Sequence, residues 1–179
     1  MSRLATRNES ELQPETLDAL EPVRMKGRLA EVYLQFANSE HALRTYLQME
    51  SCLRGSSLDN RELEAVKLWL SQQTECEYCL SIHSFKAAQA GLDEAAQLSI
   101  RAARKIGDQR IDMILAVASA LFGTPGKLDQ VLLDNARAAG LSDENLVDLT
   151  MAMSTIFFTN ITNHINDSRS PLPPAPSVG

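Results

Sequence analysis

Two cysteines and a histidine have the most informative spacing in the chain. Cys76 and Cys79 form a C-x-x-C pair, and His83 follows four residues after the second cysteine. On a helix, where each residue adds about 100° of rotation, the three side chains would share an arc of about 60°. Two sulfur atoms at this spacing can form a disulfide, and a histidine one turn further can exchange a proton with the nearer thiol. The spacing therefore favours thiol redox chemistry.

The sequence places this pair at the start of a helix. Thr74 and Glu77 have capping-box spacing, which predicts Thr74 as the N-cap and Cys76 as the second helical residue. The positive end of the helix dipole would lower the pKa of the Cys76 thiol. Glu75 and Glu77 act against this effect, because nearby negative charge raises a thiol pKa. The sequence leaves the balance between the two effects open.

The cysteine pair has two other interpretations. It could be half of a zinc site, with His83 as a third ligand. His41, His164 and Glu64 are then the loose candidates for a fourth ligand, since the sequence contains no second C-x-x-C and no H-x-x-x-H. Alternatively, both cysteines could be small buried residues without chemistry. Either interpretation would make the chain a helical binding module.

The rest of the chain has the pattern of an all-α, multi-helix bundle. Apolar residues recur with helical spacing between Pro14 and Asp167, strand patterns are scarce, and glycines separate the periodic segments. Helices are predicted at about 15–24, 28–37, from Ser39 to before Gly55, after Asp59, and at 74–91, 93–107, 108–122, 127–139 and 142–165.

One short segment recurs within the chain, and the two ends differ in composition from the part between them. Residues 90–94 (AGLDE) resemble residues 139–144 (AGLSDE), which allows a duplicated helical-hairpin unit, although any helix–glycine–helix joint uses this chemistry. We divide the chain into a polar N-terminal tail (1–13), one helical domain (14–167) and a Pro-rich C-terminal tail (168–179). Four of the seven prolines lie in the last segment, which is expected to be disordered or to form an extended arm on a neighbour.

Composition excludes several classes of function. The 179 residues are 44% hydrophobic and 22% charged, enough for one domain with its own core, and three cysteines do not suit a disulfide scaffold. A net charge of −6 and an aromatic content of 5% disfavour nucleic acid as a partner. The most apolar run, 146–158, is too short to span a bilayer. The polar N-terminus has no signal-peptide pattern, so we expect a cytoplasmic protein without a membrane partner.

Glu64 extends the cysteine pattern. The segment from Glu64 to His83 reads E-x11-C-E-Y-C-x3-H. This pattern resembles the signature of the AhpD-like alkylhydroperoxidases, which belong to the carboxymuconolactone decarboxylase superfamily, and the resemblance is strongest over positions 58–107. It implies an AhpD-like helical bundle and a peroxidase-type oxidoreductase that reduces alkyl hydroperoxides with its cysteine pair.

The resemblance implies a role for each residue of the pattern. Cys79 would attack the peroxide oxygen, and Cys76 would donate a proton and then close the disulfide. Glu64 and His83 would form the proton relay. Tyr78 stands where better-studied members have a histidine, which makes it a candidate for the same relay. Helix electrostatics alone would instead favour Cys76 as the more acidic thiol.

The resemblance also has consequences for partners. It implies a homo-oligomer, such as a trimer or a hexamer, a hydroperoxide substrate, and a small dithiol or a partner protein as reductant. No metal or organic cofactor is expected, because the two thiols carry the electrons. The alternative within the superfamily is a carboxymuconolactone-type decarboxylase with incidental cysteines, although that branch generally lacks the pair.

Several residues have simpler interpretations. Without the resemblance, Glu64 would be a surface residue paired with Lys67 on its own helix. Cys52 is expected to be a buried structural thiol. His164 is expected to make capping or interface hydrogen bonds and not to be catalytic. Core or interface positions are expected for Trp69, Phe157 and Phe158.

Overall fold

The computed structural model describes residues 2–123 and 126–178. Within these ranges the chain forms nine α-helices and no β-strand, which confirms the all-α prediction. None of these helices is long and apolar enough to cross a bilayer. The helices are α1 (Pro14–Leu20), α2 (Glu31–Phe36), α3 (Glu40–Leu53), α4 (Asn60–Gln73), α5 (Glu77–Gln89), α6 (Glu94–Arg101), α7 (Gln109–Gly123), α8 (Gln130–Ala138) and α9 (Asp143–Asn166).

Polar side chains start the helices that position the site. At the start of α4, Asp59 accepts a hydrogen bond from the Glu62 backbone nitrogen at 2.8 Å, and the Glu62 carboxylate accepts one from the Asp59 nitrogen at 2.9 Å. This is a capping box, as the three-residue spacing of Asp59 and Glu62 in the sequence predicts. Ser142 and Asn145 form a second one at the start of α9. α4 and α9 therefore begin at capping residues that can be recognised in the sequence.

Residues in a left-handed backbone conformation end several helices. Gly91 and Gly140 have φ angles of 88° and 87° and close α5 and α8 with the same pair of backbone hydrogen bonds. The predicted extension of the sixth helix to Gly107 is wrong. Ala103 takes a φ of 54°, and α6 stops at Arg101.

The main core surrounds α4. Ten consecutive residues of this helix, 62–71, are buried, and α5, α6, α7 and α9 all pack against it. A helix that is covered on every side must pair its polar side chains, because an unpaired buried polar group costs about 1–3 kcal/mol. Three charged residues of α4, Glu62, Glu64 and Lys67, are among the buried ones. The central helix is therefore the place to look for functional polar contacts.

A second, smaller core lies at the N-terminal end of the chain. Leu20, Phe36 and Leu43 join α1, α2 and α3, and Phe158 of α9 stacks on Tyr46 at a ring distance of 5.6 Å. The described part of the N-terminal tail lies along this core, and Leu12 and Phe36 are both buried there. α3 also packs against α9, so the two cores meet along the last helix.

The C-terminal segment runs over the surface of the same chain. The buried guanidinium of Arg101 donates a hydrogen bond to the Pro176 carbonyl, and Ala175 packs against the main core. Residues 169–178 contain no helix, as their prolines predict. The division of the chain into one domain and two tails stays a prediction.

Candidate active site

The joint between α4 and α5 fixes the position of the first thiol. Thr74 is the C-cap of α4, Glu75 takes a left-handed conformation with φ of 55°, and the Cys76 nitrogen donates to the Ser71 carbonyl at 3.0 Å. This is the Schellman pattern of a helix end. The prediction that Thr74 caps α5 is therefore wrong, because α4 extends as far as this residue and the next helix begins after it.

Cys76 is itself the N-cap of α5, and not its second residue as predicted. Its Sγ accepts a hydrogen bond from the Cys79 backbone nitrogen at 3.4 Å, the role in which an oxygen of Ser or Asp is usual. A hydrogen bond from the Cys79 thiol is the main reason that the pKa of Cys76 is lowered, and backbone N–H groups at the helix start add to it. Burial and the Glu77 carboxylate oppose this lowering without reversing it.

Cys79 lies in the first turn of α5 and faces α9. Its Sγ accepts a hydrogen bond from the Asn163 side-chain nitrogen at 3.4 Å. The hydrogen bond to Cys76 and the burial of Cys79 raise its pKa, because its proton is held between the two sulfur atoms. Of the two thiols, Cys76 is therefore the more acidic.

Glu64 and His83 form a buried pair across α4 and α5. The Nδ1 atom of His83 lies 2.7 Å from Oε2 of Glu64, and the two residues are 7% and 5% exposed. Lys67 does not pair with Glu64 and instead binds Glu50 of α3 at 2.9 Å, so the surface-pair interpretation is wrong.

The protonation states of this pair suit a relay. Burial, with smaller contributions from Lys86 and Lys67, lowers the pKa of His83 overall, although Glu64 raises it. Burial alone would raise the pKa of Glu64, but His83, together with Lys67 and Lys86, lowers it overall. An ionised carboxylate thus accepts the Nδ1–H of a neutral imidazole, and Nε2 of His83 is left as a proton acceptor.

A cavity of about 510 Å³ opens onto Cys79 and His83. The segment 22–36 and α3 line one side of the cavity, and α5 and α9 line the other. Tyr78 also lines it, and burial raises the pKa of its hydroxyl to about 12, so this group is a hydrogen-bond donor at neutral pH. Within the described ranges Cys76 is not part of the cavity wall. A substrate in the cavity would therefore reach Cys79 first.

The structure brings five predicted site residues together, since three of them line the cavity and the other two contact a residue that does. They are Tyr78, Cys79 and His83, and Glu64 and Cys76 respectively. Their catalytic roles stay predictions. Trp69 is buried in the main core as expected, and Phe158 packs in the N-terminal core, whereas Phe157 is 39% exposed.

Other predicted residues lie elsewhere. Cys52, expected to be buried, is exposed in the last turn of α3. His164 is not at the cavity, and its Nε2 lies 2.6 Å from the Thr74 carbonyl at the end of α4. His41 lies beside Arg44 on the surface. In the described part of the chain, no group of three or more His, Cys, Asp or Glu side chains is placed to hold a metal ion.

Asn163 is the functional candidate that the sequence interpretation missed. It lies on α9, is 4% exposed, and contacts both Cys79 and the cavity. A signal was available, because Asn160, Asn163 and Asn166 recur every three residues and so share one face of an otherwise apolar helix. All three side chains are buried.

Comparison with known proteins identifies the fold. No protein-family model matches the chain, and no curated protein matches its sequence. Among solved structures, an alkylhydroperoxidase AhpD core protein from Ralstonia eutropha JMP134, described as peroxidase-related, has a TM-score of 0.76 at 17% identity. The match covers 94% of this chain and 92% of that one. The chain has the AhpD-like fold.

Two further structures share the AhpD-like fold. A peroxidase-related protein from Silicibacter sp. TM1040 is 20% identical with a TM-score of 0.77, over 93% of this chain and 89% of that one. A cysteine-to-alanine variant of the debrominase Bmp8, solved with 2,3,4-tribromopyrrole, is 20% identical with a TM-score of 0.67, over 88% of each chain. These matches confirm the predicted AhpD-like helical fold.

Proposed function

We propose that this AhpD-like protein is a thiol-dependent peroxidase that reduces organic hydroperoxides with Cys76 and Cys79. One observation carries the proposal. Cys79 lies on the wall of a substrate-sized cavity, its backbone nitrogen donates to the Cys76 sulfur at 3.4 Å, and His83, paired with Glu64, lines the same cavity. A nucleophile, a resolving thiol and a proton carrier are thus available at one place.

The first step oxidises Cys79. Its proton moves to Cys76 along their hydrogen bond, and the resulting Cys79 thiolate attacks the terminal oxygen of the hydroperoxide. A sulfur–oxygen bond forms and the oxygen–oxygen bond breaks. The alkoxide that leaves takes the proton from Cys76 and becomes an alcohol. Cys79 is then a sulfenic acid, and Cys76 is again a thiolate.

The second step forms the disulfide. The Cys76 thiolate attacks the sulfur of Cys79, the sulfur–oxygen bond breaks, and hydroxide leaves. His83, held by Glu64, supplies one proton from solvent and the product is water. A small dithiol or a partner protein would then reduce the disulfide. The two thiols carry both electrons, so the reaction as proposed needs no resident metal or organic cofactor.

A stoichiometric oxidation tests the proposal. Adding one equivalent of tert-butyl hydroperoxide should remove about two thiols from the reduced protein and lower its intact mass by two hydrogens. Cys79→Ser should abolish the reaction, Cys76→Ser should stop at a sulfenic acid, and Cys52→Ser is the matched control that should behave as wild type. Unchanged thiols in the wild type, or stoichiometric zinc released by a chelator, would contradict it.

The debrominase among the structural neighbours favours a second candidate. A dithiol can reduce a carbon–bromine bond, with release of bromide and a proton, transfer of hydrogen to carbon, and formation of a disulfide. The cavity offers three aromatic walls, Tyr33, Phe36 and Tyr46, to a flat brominated ring. Bromide release from 2,3,4-tribromopyrrole by the reduced protein would support this activity, and its absence alongside hydroperoxide turnover would exclude it.

A further inference from the structure

The side-chain amide of Asn163 is buried, and its nitrogen makes a hydrogen bond while its oxygen makes none within the described residues. Its nitrogen donates to the Cys79 sulfur at 3.4 Å, whereas its Oδ1 atom is buried without a hydrogen-bond partner among the residues that the structure describes. Buried polar atoms are nearly always paired, so an unpaired one at a site calls for an explanation. Asn163 also lines the cavity, so a ligand bound there would contact this side chain.

The other two asparagines on the same face of α9 differ in this respect. The amide of Asn160 donates to Thr74 at 2.7 Å, and its oxygen accepts from Ser71 at 3.5 Å. The amide of Asn166 donates to Gln35, and its oxygen accepts from the Leu4 nitrogen at 2.9 Å. Neither lines the cavity. The unpaired acceptor is therefore specific to the asparagine that contacts the thiol.

A hydrogen-bond donor bound in the cavity beside Cys79 would supply the missing partner. A hydroperoxide carries one donor, the hydrogen on the terminal oxygen that the sulfur attacks. We propose that Asn163 binds the substrate, accepting this hydrogen bond on Oδ1 while its nitrogen holds the Cys79 sulfur. The proposal rests on the peroxidase function proposed above.

The same contact persists through the first chemical step. When the sulfur–oxygen bond forms and the oxygen–oxygen bond breaks, the terminal oxygen keeps its hydrogen and becomes the hydroxyl of the Cys79 sulfenic acid. Oδ1 of Asn163 can accept from it in both states. One side chain thus aligns nucleophile and oxygen before the reaction and holds the intermediate until Cys76 attacks.

Two reagents separate substrate binding from thiol activation. In a Cys52→Ser, Cys76→Ser background, where Cys79 is the single cysteine, its rates with tert-butyl hydroperoxide and with iodoacetamide are measured under single-turnover conditions. Iodoacetamide depends on the thiolate but has no hydroperoxide hydrogen to place. Asn163→Ala should slow the hydroperoxide reaction by about tenfold to a hundredfold, and alkylation by no more than about threefold.

Asn163→Asp provides a second variant that keeps an acceptor oxygen. Its carboxylate should slow both reactions, because negative charge raises a thiol pKa, but the ratio of the two rates should stay near the wild-type ratio. Asn160→Ala is the matched control. It should lower the melting temperature and leave both rates unchanged.

Three outcomes overturn the proposal. An equal loss in both reactions of Asn163→Ala would show that the residue only stabilises the thiolate, and no loss would show that it has no part in the reaction. A wild type that reacts with iodoacetamide but not with hydroperoxide would overturn the peroxidase function, and this proposal with it.

A separate observation at the rim of the cavity points to the class of hydroperoxide. Four charged side chains besides His83 line the cavity. Arg24 is paired with Glu9 and Glu21, and Glu50 is paired with Lys67. Arg28 and Lys86 have no ion-pair partner anywhere in residues 2–123 and 126–178.

We infer that the cavity takes hydroperoxides with an apolar body and a carboxylate. The aromatic and aliphatic walls suit the apolar part, and the two unpaired cations suit the anion. Lys86 lies seven residues beyond Cys79 on α5, a rise of about 10 Å. The carboxylate and the peroxide group should therefore be separated by about that distance. This inference also depends on the proposed peroxidase function.

Linoleic acid hydroperoxide and its methyl ester test this inference. At low salt the wild type should oxidise faster with the acid, by about tenfold, and added salt should reduce the difference. Arg28→Gln combined with Lys86→Gln should bring the ratio close to one. Lys105→Gln, which removes one charge at a site away from the cavity, should keep the preference. An ester as reactive as the acid would overturn the inference.

A binding measurement keeps this result separate from peroxidase activity. Oleate should protect Cys79 from iodoacetamide at lower concentration than oleyl alcohol does, and the Arg28→Gln, Lys86→Gln protein should lose the difference. Equal protection by both ligands would contradict the inference, whether or not the protein reduces peroxides.

Discussion

Two helix joints in this protein share one hydrogen-bond pattern but differ in the residues that form it. In the joint between α8 and α9, Gly140 takes the left-handed position, Leu141 follows, and Ser142 caps the next helix. In the joint between α4 and α5, Glu75 takes the left-handed position and Cys76 fills the next two roles at once. The second joint is one residue shorter, and this places a sulfur atom at the start of a helix.

The shorter joint has less favourable local energetics. A non-glycine residue in a left-handed conformation costs about 1–2 kcal/mol, and sulfur is a weaker acceptor than a serine or aspartate oxygen. A buried pair, Glu64 and His83, links the two helices there, whereas an exposed pair, Arg137 and Asp143, links α8 and α9. The α4–α5 joint thus combines a strained residue and a weak cap with a buried Glu64–His83 pair outside the joint.

Exchanging the two capping residues should have the largest effect. Cys76→Ser keeps an N-cap acceptor but removes the resolving sulfur, so hydroperoxide should oxidise Cys79 only as far as the sulfenic acid, no intramolecular disulfide should form, and the fold should be kept. Ser142→Cys should leave disulfide formation unchanged and lower the melting temperature slightly. Intact mass after hydroperoxide treatment in the presence of dimedone, together with thermal melts, measures both. A Cys76→Ser protein that forms no dimedone adduct would contradict Cys79 as the residue that is oxidised.

Removing the acidic residue from each of these two pairs should give the next largest difference, in the free energy of unfolding. Glu64→Ala leaves a buried imidazole unpaired and should lower the free energy of unfolding by about 2–4 kcal/mol at neutral pH. Asp143→Ala should cost less than about 1 kcal/mol, because its pair is exposed. Urea unfolding of both variants measures this.

The loss of stability caused by Glu64→Ala should depend on pH with a definite sign. The pKa of Glu64 is lowered in the folded state, so its ionised form stabilises the protein above the pKa of an unfolded glutamate. This stabilisation is lost as pH falls through the folded pKa. Below the pH range in which His83 titrates, the penalty of Glu64→Ala should therefore shrink as pH falls, and a penalty that grows there would contradict the assigned charge.

Substitutions at the two left-handed positions should have opposite signs. Gly140→Ala should destabilise the protein by about 1 kcal/mol, because its φ of 87° strains an alanine although no atom lies close enough to clash. Glu75→Gly should stabilise it by a similar amount. Chemical denaturation decides the signs. A destabilising Glu75→Gly would show that the glutamate makes a contact that outweighs its strain.

The smallest expected change concerns a single hydrogen bond. In a Cys52→Ser background, Cys79→Ala should raise the pKa of Cys76, because the thiol that donates to its sulfur is gone. Cys79→Ser should raise the pKa less, since a hydroxyl can still donate. The ultraviolet absorbance of the Cys76 thiolate across a pH titration measures both. Identical titrations would indicate that the backbone N–H groups alone lower the pKa.

Local patterns predicted much of the fold. The all-α class, the capping box at Asp59 and the exits at Gly91 and Gly140 depend on residues adjacent in sequence, and they were confirmed. The end of α6 was not predicted, because Ala103 has no intrinsic preference for the left-handed conformation it takes. Thr74 was assigned to the wrong helix for a similar reason, since a threonine near a joint can serve either side.

The site residues within the motif could be predicted from their fixed spacing. Contacts that depend on tertiary packing between distant segments could not. Helix periodicity placed Cys76, Cys79 and His83 near one another, and only the E-x11-C spacing pointed to Glu64. The contact of Asn163 with Cys79 joins residues 84 positions apart, which no local pattern records. Cys52 was expected to be buried because cysteines usually are, but it lies on the exposed side of the last turn of α3, next to the buried Leu53.

The asparagine face of α9 restricts how this sequence can change in length. Within two turns the helix holds the end of α4, the Cys79 thiol and the N-terminal segment, through Asn160, Asn163 and Asn166 respectively. One inserted residue would rotate everything beyond it by about 100° and release at least one of these partners. Insertions should therefore be excluded from the second half of α9.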